Sequence, residues 1–160
     1  NEGFSGPDGR TTIFDWWSIA SIRRLRKLIA SGKYRSSSVS ELVENGLMKE
    51  EAELFLRFTE AIRFAAEDCS IRQGTTYDLC YCNMSSDGFD KNRHFVFLRD
   101  FEEHTLLIAA NFSNREAVMK LVIPEHAFEW MGIPKTEALH PGKVIEVKVQ
   151  PMDGAIVTLI

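Results

Sequence analysis

RHFVFLRDFEEHTLLIAANF, residues 93–112, is the stretch on which the fold class turns. Two runs rich in aromatic and aliphatic side chains flank a short acidic segment. The pattern reads as a β-hairpin: a strand from His94 to Arg99, a turn over Asp100–Glu103, and a strand from Thr105 to Phe112. Working outward, KVIEVKVQ (143–150) sets Ile145, Val147 and Val149 against Glu146 and Lys148, the alternation of a half-buried strand. AVMKLVIP (117–124) reads as a strand ended by its proline, and TYDLCYCNM (76–84) as an alternating, aromatic-rich strand. AIVTLI closes the chain as a further strand. Short strands with turn residues between them suggest an antiparallel β-sandwich over 74–160.

Before Gly74 the period changes. Ile19, Ile22, Leu25 and Ile29 recur at helical steps, with Asp15 or Ser18 as the N-cap and Gly32 as the stop. KYRSSSVS (33–40) reads as a polar loop, and ENGLMKEE (44–51) as a turn leading into an acidic first helical turn. A second helix is expected over Lys49–Ile71, with Ala52, Phe55, Leu56, Thr59, Ile62, Ala66 and Cys69 on its apolar stripe. The fold class is therefore α+β, a helical segment over 1–73 followed by strands. The helices are expected to pack on each other and on the strands, burying Ile22, Leu25, Phe55 and Ile62.

Composition narrows the function classes. Hydrophobic residues make up 44% and charged residues 26%, ordinary for a globular chain. A net charge of −4 argues against a nucleic-acid partner, because phosphate binding needs a concentrated basic surface. Arg23, Arg24, Arg26 and Lys27 read as the solvated face and C-terminal end of a helix. The apolar runs fall short of the ~20 residues of a membrane span. Cys69, Cys80 and Cys82 form no disulfide framework and read as reduced thiols. The chain begins at Asn1, so the natural start is expected to lie upstream, and the compartment is left open.

The search for chemistry yields little. His94, His104, His126 and His140 stand singly, without a nucleophile or second histidine at a diagnostic spacing. Gly142-Lys143-Val144 lacks the glycines of a phosphate loop, and Glu50–Glu51 and Glu102–Glu103 read as solvated pairs. Neither a metal nor an organic cofactor is expected. Trp16, Trp17 and Trp130 offer flat faces on which a sugar stacks, but packing is the preferred reading for each.

Three stretches together resemble the C-terminal portion of α-amylase-family glycoside hydrolases. GFSGPDGRTTIFDWW (3–17) is similar to the loop after the eighth barrel strand, with Pro7–Asp8 where the family has the reverse order. EEAELFLRFTEAIRF (50–64) and SIRQGTTYDL (70–79) resemble the helix and strand entry leading into that family's C-terminal domain. HFVFLRDFEEHTLLIAANFSN (94–114) is similar to its VFAFxR…LLVVxNFS hairpin.

The resemblance implies that 1–73 is the end of a (β/α)8 barrel, with the last barrel helix over Trp16–Ser31 and a linker helix. It also implies that 74–160 is the C-terminal sandwich, supporting a retaining hydrolase or transglycosylase that acts on α-glucans. The catalytic carboxylates of such an enzyme lie on earlier barrel strands, so no catalytic residue is assigned here. Arg10 and Trp16 match rim positions that border the substrate cleft. The implied partners are an upstream barrel of the same polypeptide and an α-glucan, with no nucleic acid and no membrane. Two other readings remain. A free-standing carbohydrate-binding module needs an exposed row among Tyr77, Tyr81, Phe95 and Phe97, and a protein-interaction sandwich needs a large exposed apolar patch.

Overall fold

The structure, a computed structural model, describes residues 19–36 and 38–160. Its centre is the hairpin. β2 (His94–Phe101) and β3 (His104–Asn111) pair antiparallel, with His94 opposite Asn111 and Phe101 opposite His104. The connection is tighter than the four residues expected. Glu102 and Glu103 alone turn the chain, both at positive φ (48° and 68°). Two left-handed residues in a row give the twist that matches paired strands, so the ladder continues through Asp100 and Phe101.

β1 (Thr75–Asp78) adds to the free side of β2, and β6 (Asp153–Thr158) to the free side of β3. The four-stranded order is β1-β2-β3-β6, and β4 (Ala117–Val122) and β5 (Val144–Val149) form a second, two-stranded antiparallel sheet. With five α-helices among the described residues, the chain is of mixed α+β class.

Alternation selects the core. Val96 and Leu98 on β2 and Leu107 and Ala109 on β3 share one face and are fully buried. They join a single cluster with Met119 and Leu121 of β4, Val147 and Val149 of β5, and Phe128. The expected half-buried pattern of 143–150 is present, with Glu146 and Lys148 exposed. On the opposite face of β2, Phe95 and Phe97 lie 5.4 Å apart, and Phe95 is 47% exposed.

Two buried asparagines tie loops to this core. Asn83 donates to the Leu79 and Val122 carbonyls (2.9 and 3.0 Å) and accepts from the Val122 N–H (2.8 Å) and Ser86 Oγ (2.8 Å). Asn111 donates to the Arg115 and Gln150 carbonyls (2.8 and 3.1 Å) and accepts from the Ser113 N–H (2.9 Å). Gly88, at φ 76°, passes so close to β4 that a Cβ there would sit 1.8 Å from the Val118 carbonyl oxygen. Only glycine fits that position.

The chain divides into two compact units, the first ending at Phe64 and the second running over Ala65–Ile160. In the first, α1 (Ala20–Ala30) ends at Gly32 in the left-handed region, as the sequence suggests. The expected caps Asp15 and Ser18 lie outside the described residues, as do the first residues of the expected Trp16–Ser31 helix. Within 33–40, expected to be loop, a 3-10 turn (Lys33–Arg35) precedes α2 (Val39–Glu44). That helix forms because Leu42 is completely buried with Leu28, Leu47 and Ala52. Packing outweighs the serine-rich flank.

The helix expected over 49–71 is two helices, α3 (Lys49–Glu67) and α4 (Cys69–Gln73). Asp68 adopts extended backbone and caps α4, accepting from the Ile71 N–H at 3.0 Å. The strand expected over 76–84 stops at Asp78, whose Oδ1 accepts from the Cys80 N–H at 2.7 Å. This side-chain turn pulls 80–82 out of the ladder, and Cys69, Cys80 and Cys82 are free thiols. The segment around Trp130, expected to be a packed loop, is helix α5 (Glu125–Met131), held by the buried Ala127 and Phe128.

The burial expected along α1 and α3 is also corrected. Ile22, Leu25 and Phe55 are only partly buried, and Ile62 is 64% exposed, with Phe58 at 63% and Leu54 at 55%. Only Ala52 of α3 is fully buried. These side chains rim an apolar groove of about 380 Å³ between α1 and α3.

Candidate functional site

A shallow, open cleft in the strand-rich unit lies where β1 meets α5. Among the described residues, β1 has a strand partner only on its β2 side. Its Tyr77 points into the core and is 8% exposed, with its hydroxyl reaching back toward the surface. There the hydroxyl meets Tyr81 Oη at 2.5 Å and His126 Nδ1 at 3.0 Å. Burial, then the neighbouring Tyr81 hydroxyl, pushes the Tyr77 phenol well above its ordinary value. Tyr77 therefore keeps its proton and links Tyr81 to His126 by hydrogen bonds.

Helix α5 supplies the other wall. His126 and Trp130 are four residues apart and therefore share one face of the helix. The Trp130 and Tyr81 rings lie 5.9 and 6.2 Å from the Tyr77 ring, tilted by 53° and 51°. Both are about half exposed, at 55% and 52%. Thr76 and Asp78, on the strand itself, complete a cleft of about 400 Å³. The result is two exposed aromatic faces, a carboxylate and a chain of three hydrogen-bonding groups. This set of groups suits recognition of a small polar ligand.

Two of the other histidines hold backbone or ion-pair partners of their own. His104 bonds Asp68 and the Ile160 carbonyl oxygen, and the His94 Nδ1 accepts from the Asp90 N–H at 3.0 Å. The Cys80 thiol sits against the Val96 backbone, and burial raises it and the Cys82 thiol away from thiolate. Among the described residues, no three His, Cys, Asp or Glu side chains converge to hold a metal ion.

The two residues assigned to a substrate rim, Arg10 and Trp16, lie outside the described residues, as does Trp17. The exposed row that a free-standing carbohydrate-binding module needs is not formed by Tyr77, Tyr81, Phe95 and Phe97. Tyr77 and Tyr81 belong to the cleft, whereas Phe95 and Phe97 lie on the sheet face opposite the core. Sequence reasoning considered Trp130 but missed its pairing with His126. The signal was the four-residue spacing in EHAFEWM, legible only once that stretch is read as a helix.

No family model, no curated protein and no solved structure matches this chain.

Proposed function

We propose that this chain is the non-catalytic C-terminal region of an α-amylase-family glycoside hydrolase acting on α-glucans. In this reading the strand-rich unit is a β-sandwich that stabilises the catalytic barrel. The retaining hydrolase or transglycosylase chemistry belongs to carboxylates upstream of Asn1, and Arg10 and Trp16 border the substrate cleft of the whole enzyme.

The observation that carries the proposal is the apolar face of α3 that the described residues leave exposed. Leu54, Phe58 and Ile62 follow one another at helical spacing, and each is more than half exposed. An isolated α-helical unit has no reason to present such a stripe to water. A helix that ends a (β/α)8 barrel or links it to the next domain does, because barrel helices cover a layer of strands. The similarity of the β2–β3 hairpin and the 50–79 stretch to the family's pattern supports the same reading.

The test is the size of the native polypeptide, detected in its source cells with an antibody raised against residues 75–160. A band several-fold heavier than 18.2 kDa is expected, and α-glucan hydrolysis or transfer should co-purify with it. A band near 18.2 kDa overturns the proposal.

A further inference from the structure

We propose that the cleft between β1 and α5 binds a saccharide, with a pyranose ring stacked between Trp130 and Tyr81 and its hydroxyls bonded by Asp78, His126 and Tyr81. The inference rests on the chemistry of the cleft and holds whatever enzyme the chain belongs to. Only the choice of an α-glucan as first probe rests on the proposed function.

The hydrogen-bond chain is the first argument. Tyr81, Tyr77 and His126 are linked hydroxyl to hydroxyl to ring nitrogen. If Tyr81 donates to Tyr77 and Tyr77 to Nδ1, the imidazole presents its Nε2 proton as a donor, while the Tyr81 oxygen presents an acceptor. If the chain runs the other way, Tyr81 donates outward and Nε2 accepts. In either direction the cleft shows one donor and one acceptor. Adjacent sugar hydroxyls, each of which donates and accepts, are complementary to both arrangements. Asp78 adds an acceptor: its Oδ1 is engaged by the Cys80 N–H, and its carboxylate lies at the rim of the cleft.

The rings are the second argument. Trp130 and Tyr81 stay half exposed although buried apolar surface lies beside them, and they flank the polar groups. A pyranose has an apolar C–H face for such rings and an equatorial belt of hydroxyls for their polar neighbours. Phosphorylated ligands are disfavoured by the carboxylate at the rim. At about 400 Å³, the cleft falls at the small end of ligand sites, roughly 300–1,000 Å³.

The experiment titrates the full chain with maltoheptaose and, separately, with cellohexaose, following the backbone N–H resonances of Tyr77, Tyr81 and His126 by NMR. Maltoheptaose is expected to shift those resonances. Trp130→Ala is expected to weaken binding roughly tenfold or more, and Tyr81→Phe, which keeps the ring and loses the hydroxyl, to weaken it less. Phe95→Ala, on the other sheet face, is expected to leave the affinity unchanged. Circular dichroism of each variant establishes that it is folded. Binding of cellohexaose alone supports the cleft as a saccharide site while counting against the α-glucan specificity in the proposed function. No shift with either sugar in the folded protein overturns the inference, as does a shift that survives Trp130→Ala, and both leave the size test of the proposed function standing.

Discussion

The imidazole of His104 joins helix α4 to the end of the chain: Nε2 lies 3.0 Å from Asp68 Oδ2, and Nδ1 lies 3.2 Å from the Ile160 carbonyl oxygen. Asp68 uses its other oxygen to cap α4. One carboxylate therefore ends α3, starts α4 and anchors the first residue of β3. Ser70 Oγ donates to the His104 carbonyl at 2.6 Å, and Arg99 donates to the carbonyls of Ser70 and Ile71. A five-residue helix is too short to stand alone, and these side-chain bonds hold it against the sheet.

Asp68 makes stability depend on acid. Its burial raises the carboxyl, but the Ile71 N–H and His104 outweigh that and leave it below its ordinary value of 3.8. A carboxyl depressed in the folded state stabilises above its unfolded value and loses that contribution as pH falls through the folded one. Asp68→Asn, which can still cap α4 but loses the charge facing His104, is expected to cost about 1 kcal/mol at neutral pH. In urea titrations the difference from the parent should shrink once the pH falls below 3.8. A constant difference from neutral to strongly acid pH would show that the charge contributes nothing.

Glu51 has a similar role in the helical unit. Its Oε2 accepts from the Met48 N–H at 2.9 Å, the reach-back of a capping box, and from Arg24 Nε at 2.8 Å. The Arg24 hydrogen bond is the main reason its carboxyl lies below 4.5, against the opposing effect of burial. Glu51→Gln keeps the shape and loses the charge, and should lower the stability of α3 by about 1–2 kcal/mol near neutral pH. Hydrogen exchange at Met48 and Ala52 reads the change directly. The sign is that of Asp68: the contribution is present above 4.5 and lost in acid.

Asn83 separates volume from hydrogen bonding. Its amide nitrogen faces two carbonyls, and its oxygen takes an N–H and a hydroxyl. Asn83→Ala should cost about 2–3 kcal/mol through the polar groups left unpaired. Asn83→Asp should cost more, because it turns an acceptor toward Leu79 and Val122 in a site with no exposure. Thermal melts that rank alanine below aspartate would contradict this account.

The β2–β3 turn is a place to gain stability. Glu102 and Glu103 are exposed, adjacent in charge, and both at positive φ. Such backbone is unfavourable for residues with a Cβ. Asn-Gly is the preferred pair for this turn. Glu102→Asn with Glu103→Gly is expected to raise stability by about 1 kcal/mol, seen as a higher urea midpoint with an unchanged slope. A lower midpoint would mean that the carboxylates make a contribution that the turn geometry does not reveal.

How far these features could be read in advance depended on how local their causes are. β5 was legible because alternation over six residues marks a strand with one buried face, and the β2–β3 hairpin because two apolar runs flank a short acidic segment. The break at Asp68 was not, because helical periodicity continues through it and its cap is completed by His104, 36 residues away. β1 ended early because one carboxylate, that of Asp78, closed a turn onto Cys80, and a single aspartate within an alternating run carries no warning. The cleft was partly legible. Its aromatics were visible one by one, but their meeting depends on α5 lying beside the edge of the first sheet. That relation has no local signature.

The apolar side chains of the helical unit give the last prediction, which separates core from uncovered surface on the same pair of helices. Leu28 is 1% exposed at the centre of the cluster with Leu42, Leu47 and Ala52. Leu28→Ala should cost about 2–5 kcal/mol, the usual price of a cavity left by a buried leucine. Phe58 and Ile62 are 63% and 64% exposed, so Phe58→Ser or Ile62→Ser should change the stability of this chain by no more than about 0.5 kcal/mol. In the longer polypeptide of the proposed function, the same two substitutions fall on a covered face. There they should lower the unfolding temperature and the soluble yield. Equal tolerance in both settings would mean that α3 faces water in the whole enzyme too, and the stripe would then not be a barrel contact.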